Sequence, residues 1–146
     1  MTHPSYDTDF YAWTQTQAAA LRAKDWAAVD LEHVAEEIES LGNEQAHAVE
    51  SHLRILLAHL LKWRYQPHRR RRSWQLSSLN ARDEIDRRLQ RNPGLRHQVP
   101  QLMAGIYPRA RRLASDETGL PRATFPETCP WSVAQALDED FWPEED

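Results

Sequence analysis

Apolar residues recur along most of this chain at intervals of three and four, the spacing of helices that bury one face. Phe10, Trp13, Gln17, Ala20 and Leu21 fall on one side of a first predicted helix over residues 7–23, with Asp7 as its cap. A second, over residues 31–41, is capped by Asp30 and stopped by Gly42. Leu31, Val34, Ala35, Ile38 and Leu41 form its apolar face, and Glu32, Glu36 and Glu39 its outer face. Asn43 caps a third predicted helix over residues 44–65, with Ala46, Val49, Leu53, Leu56, Leu57, Leu60 and Leu61 in its main stripe. Ile55 and Trp63 widen that stripe, so this helix packs on more than one side and is the central one.

Pro67 ends the central helix, because the residue before a proline avoids helical angles. A fourth helix over residues 73–91, capped by Ser73, presents Trp74, Ser78, Ala81, Ile85 and Leu89. Asn92-Pro93-Gly94 breaks the chain, and a fifth helix follows over residues 97–117. Val99, Leu102, Met103, Ile106, Ala110, Leu113 and Ala114 line one side of it; Pro108 either kinks it or leaves one carbonyl unpaired, and Gly119 closes it. Ser132 caps a last short helix over residues 133–137. The pattern predicts an all-α fold: an irregular bundle of five main helices plus a short C-terminal one, forming a single domain over residues 1–146. The proline-rich segment 121–146, with Phe125, Trp131, Phe141 and Trp142, is expected to strap the bundle.

Composition narrows the function classes. The 146 residues are 40% hydrophobic and 27% charged, an ordinary globular balance. No apolar run suits a membrane span, and the polar, acidic start lacks the basic and apolar regions of a signal peptide. Cys129 is the single cysteine, which excludes an internal disulfide and any cysteine-based zinc site. A soluble cytoplasmic chain is therefore expected. The net charge of −4 hides strong segregation. Residues 1–50 carry −8, residues 51–112 carry +12 and residues 113–146 carry −8.

Several local sequences occur together: Tyr6-Asp7-Thr8-Asp9-Phe10-Tyr11-Ala12-Trp13, Ala35-Glu36-Glu37-Ile38-Glu39-Ser40-Leu41-Gly42 and Leu56-Leu57-Ala58-His59-Leu60-Leu61-Lys62-Trp63. Tyr65-Gln66-Pro67, Arg72-Ser73-Trp74 and Phe125-Pro126-Glu127-Thr128-Cys129-Pro130 follow in order. With these the chain resembles, over nearly its whole length, the bacterial family catalogued as domain of unknown function 29. The resemblance implies an all-α bundle and implies no activity, cofactor or catalytic residue. His33 and His47 stand outside its pattern.

Three constellations carry candidate chemistry. Lys62, Arg64, Arg69, Arg70, Arg71 and Arg72, interleaved with Trp63, Tyr65 and Trp74, combine phosphate-binding forks with stacking rings. They read either as a nucleic-acid contact or as partners for acidic helices, within the fold or across a dimer. Glu37 and His59 border apolar stripes on neighbouring predicted helices, so they are read as a buried polar pair; the same pair could serve a helical enzyme as base and orienter. Metal binding has one Glu-x-x-His match, Glu44 to His47, where a di-metal bundle needs two, and no metal or cofactor is expected. Cys129 reads as a packed thiol. The favoured reading is a small adaptor or regulatory module that binds protein, or itself, through segregated acidic and basic surfaces; nucleic-acid binding through Arg69–Arg72 and the helical enzyme are the alternatives.

Overall fold

The computed structural model describes residues 5–144, and every regular element among them is helical. α1 spans Phe10–Arg22, α2 Leu31–Tyr65, α3 Arg72–Arg91, α4 Val99–Thr118 and α5 Val133–Leu137, with four short 3-10 segments between them. The chain divides into two compact units, Met1–Glu44 and Gln45–Asp146.

Local chemistry explains most boundaries. The Asp9 side chain accepts from the Ala12 amide and starts α1, two residues beyond the expected cap Asp7. Asp30 accepts from the His33 amide and starts α2. Ser132 and Gln135 form a reciprocal capping box on α5. Gly119 takes the left-handed conformation, φ 75°, that closes α4. Lys24 takes the same conformation after α1, φ 56°, with the Asp25 and Lys24 amides bonded to the carbonyls of Ala20 and Leu21. This is a Schellman closure built on a residue with a Cβ. Ser73 is not a cap: α3 starts at Arg72, with extended Arg71 before it and no side-chain cap. Pro108 lies inside α4 without ending it. Both Pro108 and Ala104, whose carbonyl loses its amide partner, are exposed, so water can satisfy that oxygen.

The expected break at Gly42 does not occur. The second and third predicted helices are one 35-residue element, α2. A glycine inside a helix costs roughly 1 kcal/mol relative to alanine, less than the loss of continuous hydrogen bonding and a second nucleation.

Within the C-terminal unit, Val49, Leu53, Leu56, Leu57, Leu60 and Leu61 of α2 are buried. They form one cluster with Ile85 and Leu89 of α3, Val99, Met103, Ile106 and Ala110 of α4, and Phe125 and Ala136 beyond it. Each buried leucine contributes about 1.5–3 kcal/mol of transfer free energy. Leu53–Leu61 is thus the hub of this unit.

Within the N-terminal unit, α1 packs on the side of α2 that carries Asp30, His33 and Glu37. The apolar side predicted to face inward is left outside: Leu31 is 75% exposed, Ile38 63% and Leu41 62%. Aromatic rings with polar handles explain the choice, because Tyr6 and Trp13 bury ring area and still find carboxylate acceptors on that side.

Candidate functional site

Asp30 organises the N-terminal unit. Besides capping α2, its carboxylate accepts from Trp13 Nε1 at 3.2 Å and pairs with His33 Nδ1 at 2.7 Å. Its amide donates to Gln17 Oε1 at 2.6 Å, and Gln17 Nε2 donates to the Ala28 carbonyl at 3.2 Å. The Tyr6 ring lies flat on the His33 imidazole, centroids 4.2 Å apart, and the Tyr6 hydroxyl donates to Glu37. The hydrogen bond to His33 holds the Asp30 carboxyl below its usual range and raises the imidazole pKa in turn. The Glu37 carboxylate pushes the Tyr6 hydroxyl up to about 12. Tyr6, Trp13, Gln17, Asp30 and His33 border an open depression of about 360 Å³. The imidazole is oriented by a carboxylate, yet one of its faces is covered by Tyr6, so the arrangement works as a clamp on residues 5–9. Sequence reasoning missed this cluster; its signal is Asp30-x-x-His33 at a helix start.

Beside the clamp, the exposed face of α2 forms a stripe. Leu31, Ile38 and Leu41 are joined by half-buried Val34. Glu32, Glu36 and Glu39 are all exposed on the other side of the helix, about 140° round from it. Phe10, Tyr11 and Leu21 of α1 and Trp26 beyond it add exposed apolar surface to the same unit.

The basic connector of the C-terminal unit is broken up by internal partners. Lys62 is only 7% exposed, bonds Glu117 at 2.7 Å and lies 4.7 Å from the Trp74 ring centre. Arg70 donates to the Trp63 carbonyl at 2.9 Å and stacks on the Trp63 ring. Arg64 stacks on Tyr65 and lines a shallow recess with Trp131 and Phe141. Arg69, Arg71 and Arg72 are exposed. A second basic group, absent from the sequence reading, comes from helical register: exposed Arg54, Arg109 and Arg112 border one depression with Asp116.

Arg82 is the polar residue the sequence reading overlooked in this unit. It is 4% exposed and donates to the Ala136 and Phe141 carbonyls at 2.8 Å and to the Glu139 carbonyl at 3.5 Å. Its guanidinium also lies over the Trp142 ring, which packs on Trp63. Burial lowers its pKa without removing its charge. Its spacing on α3, one residue past buried Ala81, gave no sign of this role.

Glu37 belongs to the N-terminal unit and His59 to the C-terminal one, and each has its own surroundings. Glu37 serves Tyr6, while His59 lies near Lys62 and Glu117 with its Nδ1 buried and unbonded. Burial, then the Lys62 charge, lowers the His59 pKa. Burial raises the Cys129 thiol pKa, and its sulfur reaches the Trp131 carbonyl at 3.5 Å, so the thiol is packed rather than activated. Among the described residues, no three His, Cys, Asp or Glu side chains converge as metal ligands, and no helix is long and apolar enough to cross a membrane.

A family model described as "Domain of unknown function DUF29" matches residues 5–142. No curated protein and no solved structure matches the chain.

Proposed function

The chain belongs to the DUF29 family, whose description names no activity, and from its surfaces we propose that it is a protein-binding module, an adaptor or regulatory domain working in the bacterial cytoplasm. The observation that carries this reading is the stripe Leu31, Ile38, Leu41, more than half exposed on a helix that buries its leucines elsewhere. Apolar surface gathered along one helix is a mark of a protein contact. The absence of a membrane-crossing helix among the described residues and the single cysteine fit a cytoplasmic location.

A photoreactive side chain at position 38, introduced in the native cell, tests it. A discrete covalent adduct with another protein, absent when the group is placed at exposed position 54, is expected. A position-38 probe that captures nothing would end this reading.

Nucleic-acid binding through Arg69–Arg72 is the second reading. It is supported by the exposure of Arg69, Arg71 and Arg72 and by the Arg54, Arg109, Arg112 depression. It is weakened by the internal engagement of Lys62 and Arg70. Affinity for a DNA or RNA oligomer that falls steeply with salt would favour it, and no binding at low salt would remove it.

A further inference from the structure

Three arginines from two helices of the C-terminal unit meet at one depression. Arg54 of α2 follows buried Leu53, and Arg109 and Arg112 of α4 flank buried Ala110. Leu53 and Ala110 belong to the same buried cluster, and that packing sets the two arginine-bearing flanks side by side. With Leu113 and Asp116 the three border an open space of about 370 Å³. All three are exposed, and among the described residues no hydrogen bond or ion pair engages any of them. Other arginines of the unit are used internally: Arg82 and Arg111 by carbonyls, Arg87 by Asp83 and Glu84.

We propose that this depression binds a small-molecule phosphate monoester, its phosphate held by Arg54, Arg109 and Arg112 and its organic part lying on Leu113. Three cations against the one carboxylate of Asp116 leave two positive charges at the depression. A phosphate monoester carries about −1.5 to −2 near neutral pH, which matches that excess where a carboxylate or a phosphodiester supplies only half of it. Guanidinium forks present paired donors to phosphate oxygens. The volume lies at the lower end of small-molecule sites, roughly 300–1,000 Å³, and suits a phosphate with a short body. Acids bound the patch: Asp116 stands in its wall, and Glu50 lies one turn before Arg54 on the same flank of α2. A DNA or RNA strand laid across the depression would bring further phosphates toward these carboxylates, whereas a compact ester does not. The inference uses neither the α2 stripe nor the run 69–72, so it goes beyond the protein-binding reading and stands or falls apart from it.

The whole chain, labelled with nitrogen-15, is titrated with glycerol 3-phosphate and with glucose 6-phosphate while the arginine Nε resonances are followed. The Nε signals of Arg54, Arg109 and Arg112 should move together and saturate, and those of Arg96 and Arg122 should stay. Dimethyl phosphate, a diester of single charge, should bind at least about tenfold more weakly. Arg54→Gln, Arg109→Gln and Arg112→Gln should each weaken ester binding at least about fivefold, and Arg122→Gln, which removes the same charge elsewhere, should leave it unchanged. Circular dichroism checks that the variants fold, and the wild-type shifts decide even where one does not.

No shift with either ester at concentrations on the order of 10 mM would overturn the proposal. So would equal binding of dimethyl phosphate, or an equal loss in Arg122→Gln, which would reduce the effect to net charge. Inorganic phosphate binding as tightly as both esters would overturn the organic part and leave a site for the free anion. A short thymidine oligonucleotide that binds more tightly than the esters, and loses affinity in the same three variants, would replace the ester with nucleic acid.

Discussion

Lys62 lies against the Trp74 ring and meets the Glu117 carboxylate, fifty-five residues further along the chain, at 2.7 Å. The ammonium is nearly sealed, while the Glu117 side chain keeps 41% of its exposure. Removing the carboxylate strands a buried charge, whereas removing both leaves a site that carbon can fill. Glu117→Ala should therefore cost about 2–3 kcal/mol, less than for a fully buried pair because solvent already screens one end. Lys62→Met combined with Glu117→Gln should recover most of it. Urea midpoints of the two variants check this, and equal losses would show that the ion pair is not what Glu117 supplies.

Arg82 holds α5 and the segment after it through three carbonyls and the Trp142 ring. Arg82→Ala should cost about 3 kcal/mol, since buried acceptors lose charged donors. Arg82→Lys should not rescue it, because a single ammonium cannot span three separate carbonyls. Denaturant unfolding gives the energies, and limited proteolysis near residues 138–144 should speed up in both variants. A fully stable lysine variant would show that charge alone suffices.

Leu57 and Ile38 lie on the same helix in opposite circumstances, one fully buried and the other 63% exposed. Leu57→Ala should cost about 2–5 kcal/mol through lost transfer energy and the cavity left behind. Ile38→Ala should stay within about 0.5 kcal/mol. Comparable losses at both positions would mean that position 38 is covered in solution.

His33 and His59 should titrate with opposite signs. The His59 pKa lies below its ordinary 6.5 in the folded chain, through burial and the Lys62 charge, partly offset by Glu117. The unfolded chain therefore binds that proton more readily; the contribution is complete above about pH 6.5 and drains away as pH falls through the folded value. The His33 pKa is raised, chiefly by its bond to Asp30, so its contribution is complete below about pH 6.5 and is lost as pH rises through the folded value. Amide exchange across a pH series should show residues near Leu57 loosening in acid and residues near Trp13 loosening in mild alkali. His59→Leu and His33→Phe should each flatten one limb, and slopes of the same sign in both regions would contradict the assignment.

The helix ends that hydrogen-bond chemistry dictates could be read from the sequence: Asp30, Asn92-Pro93, Gly119 and Ser132 all punctuate where their side chains or φ angles require. The leucines at 53, 56, 57 and 60 were legible as core because nothing polar interrupts their stripe. Gly42 misled because its weak helix propensity is a local penalty, outweighed by a helix continuous on both sides. The burial of α2's first turns was misread for a different reason. Periodicity shows that a face is apolar, not which face a neighbour takes, and Tyr6 and Trp13 chose the side with acceptors. The basic run 69–72 was visible as charge, but the partners of Lys62 and Arg70 come from ring positions and a distant glutamate that spacing cannot supply.

The N-terminal unit seals only Trp13, Gln17 and Ala20 among its described residues. A body of some forty residues with so little interior is marginal by surface-to-volume scaling. Heat should therefore release it before the leucine hub, as a separate low-temperature transition. Any molecule that seats on its outer side favours the ordered form by mass action, moving that first transition upward while the second stays in place. Calorimetry would thus report occupancy of this surface as a widening or narrowing of the gap between two melting events, with no label on either party.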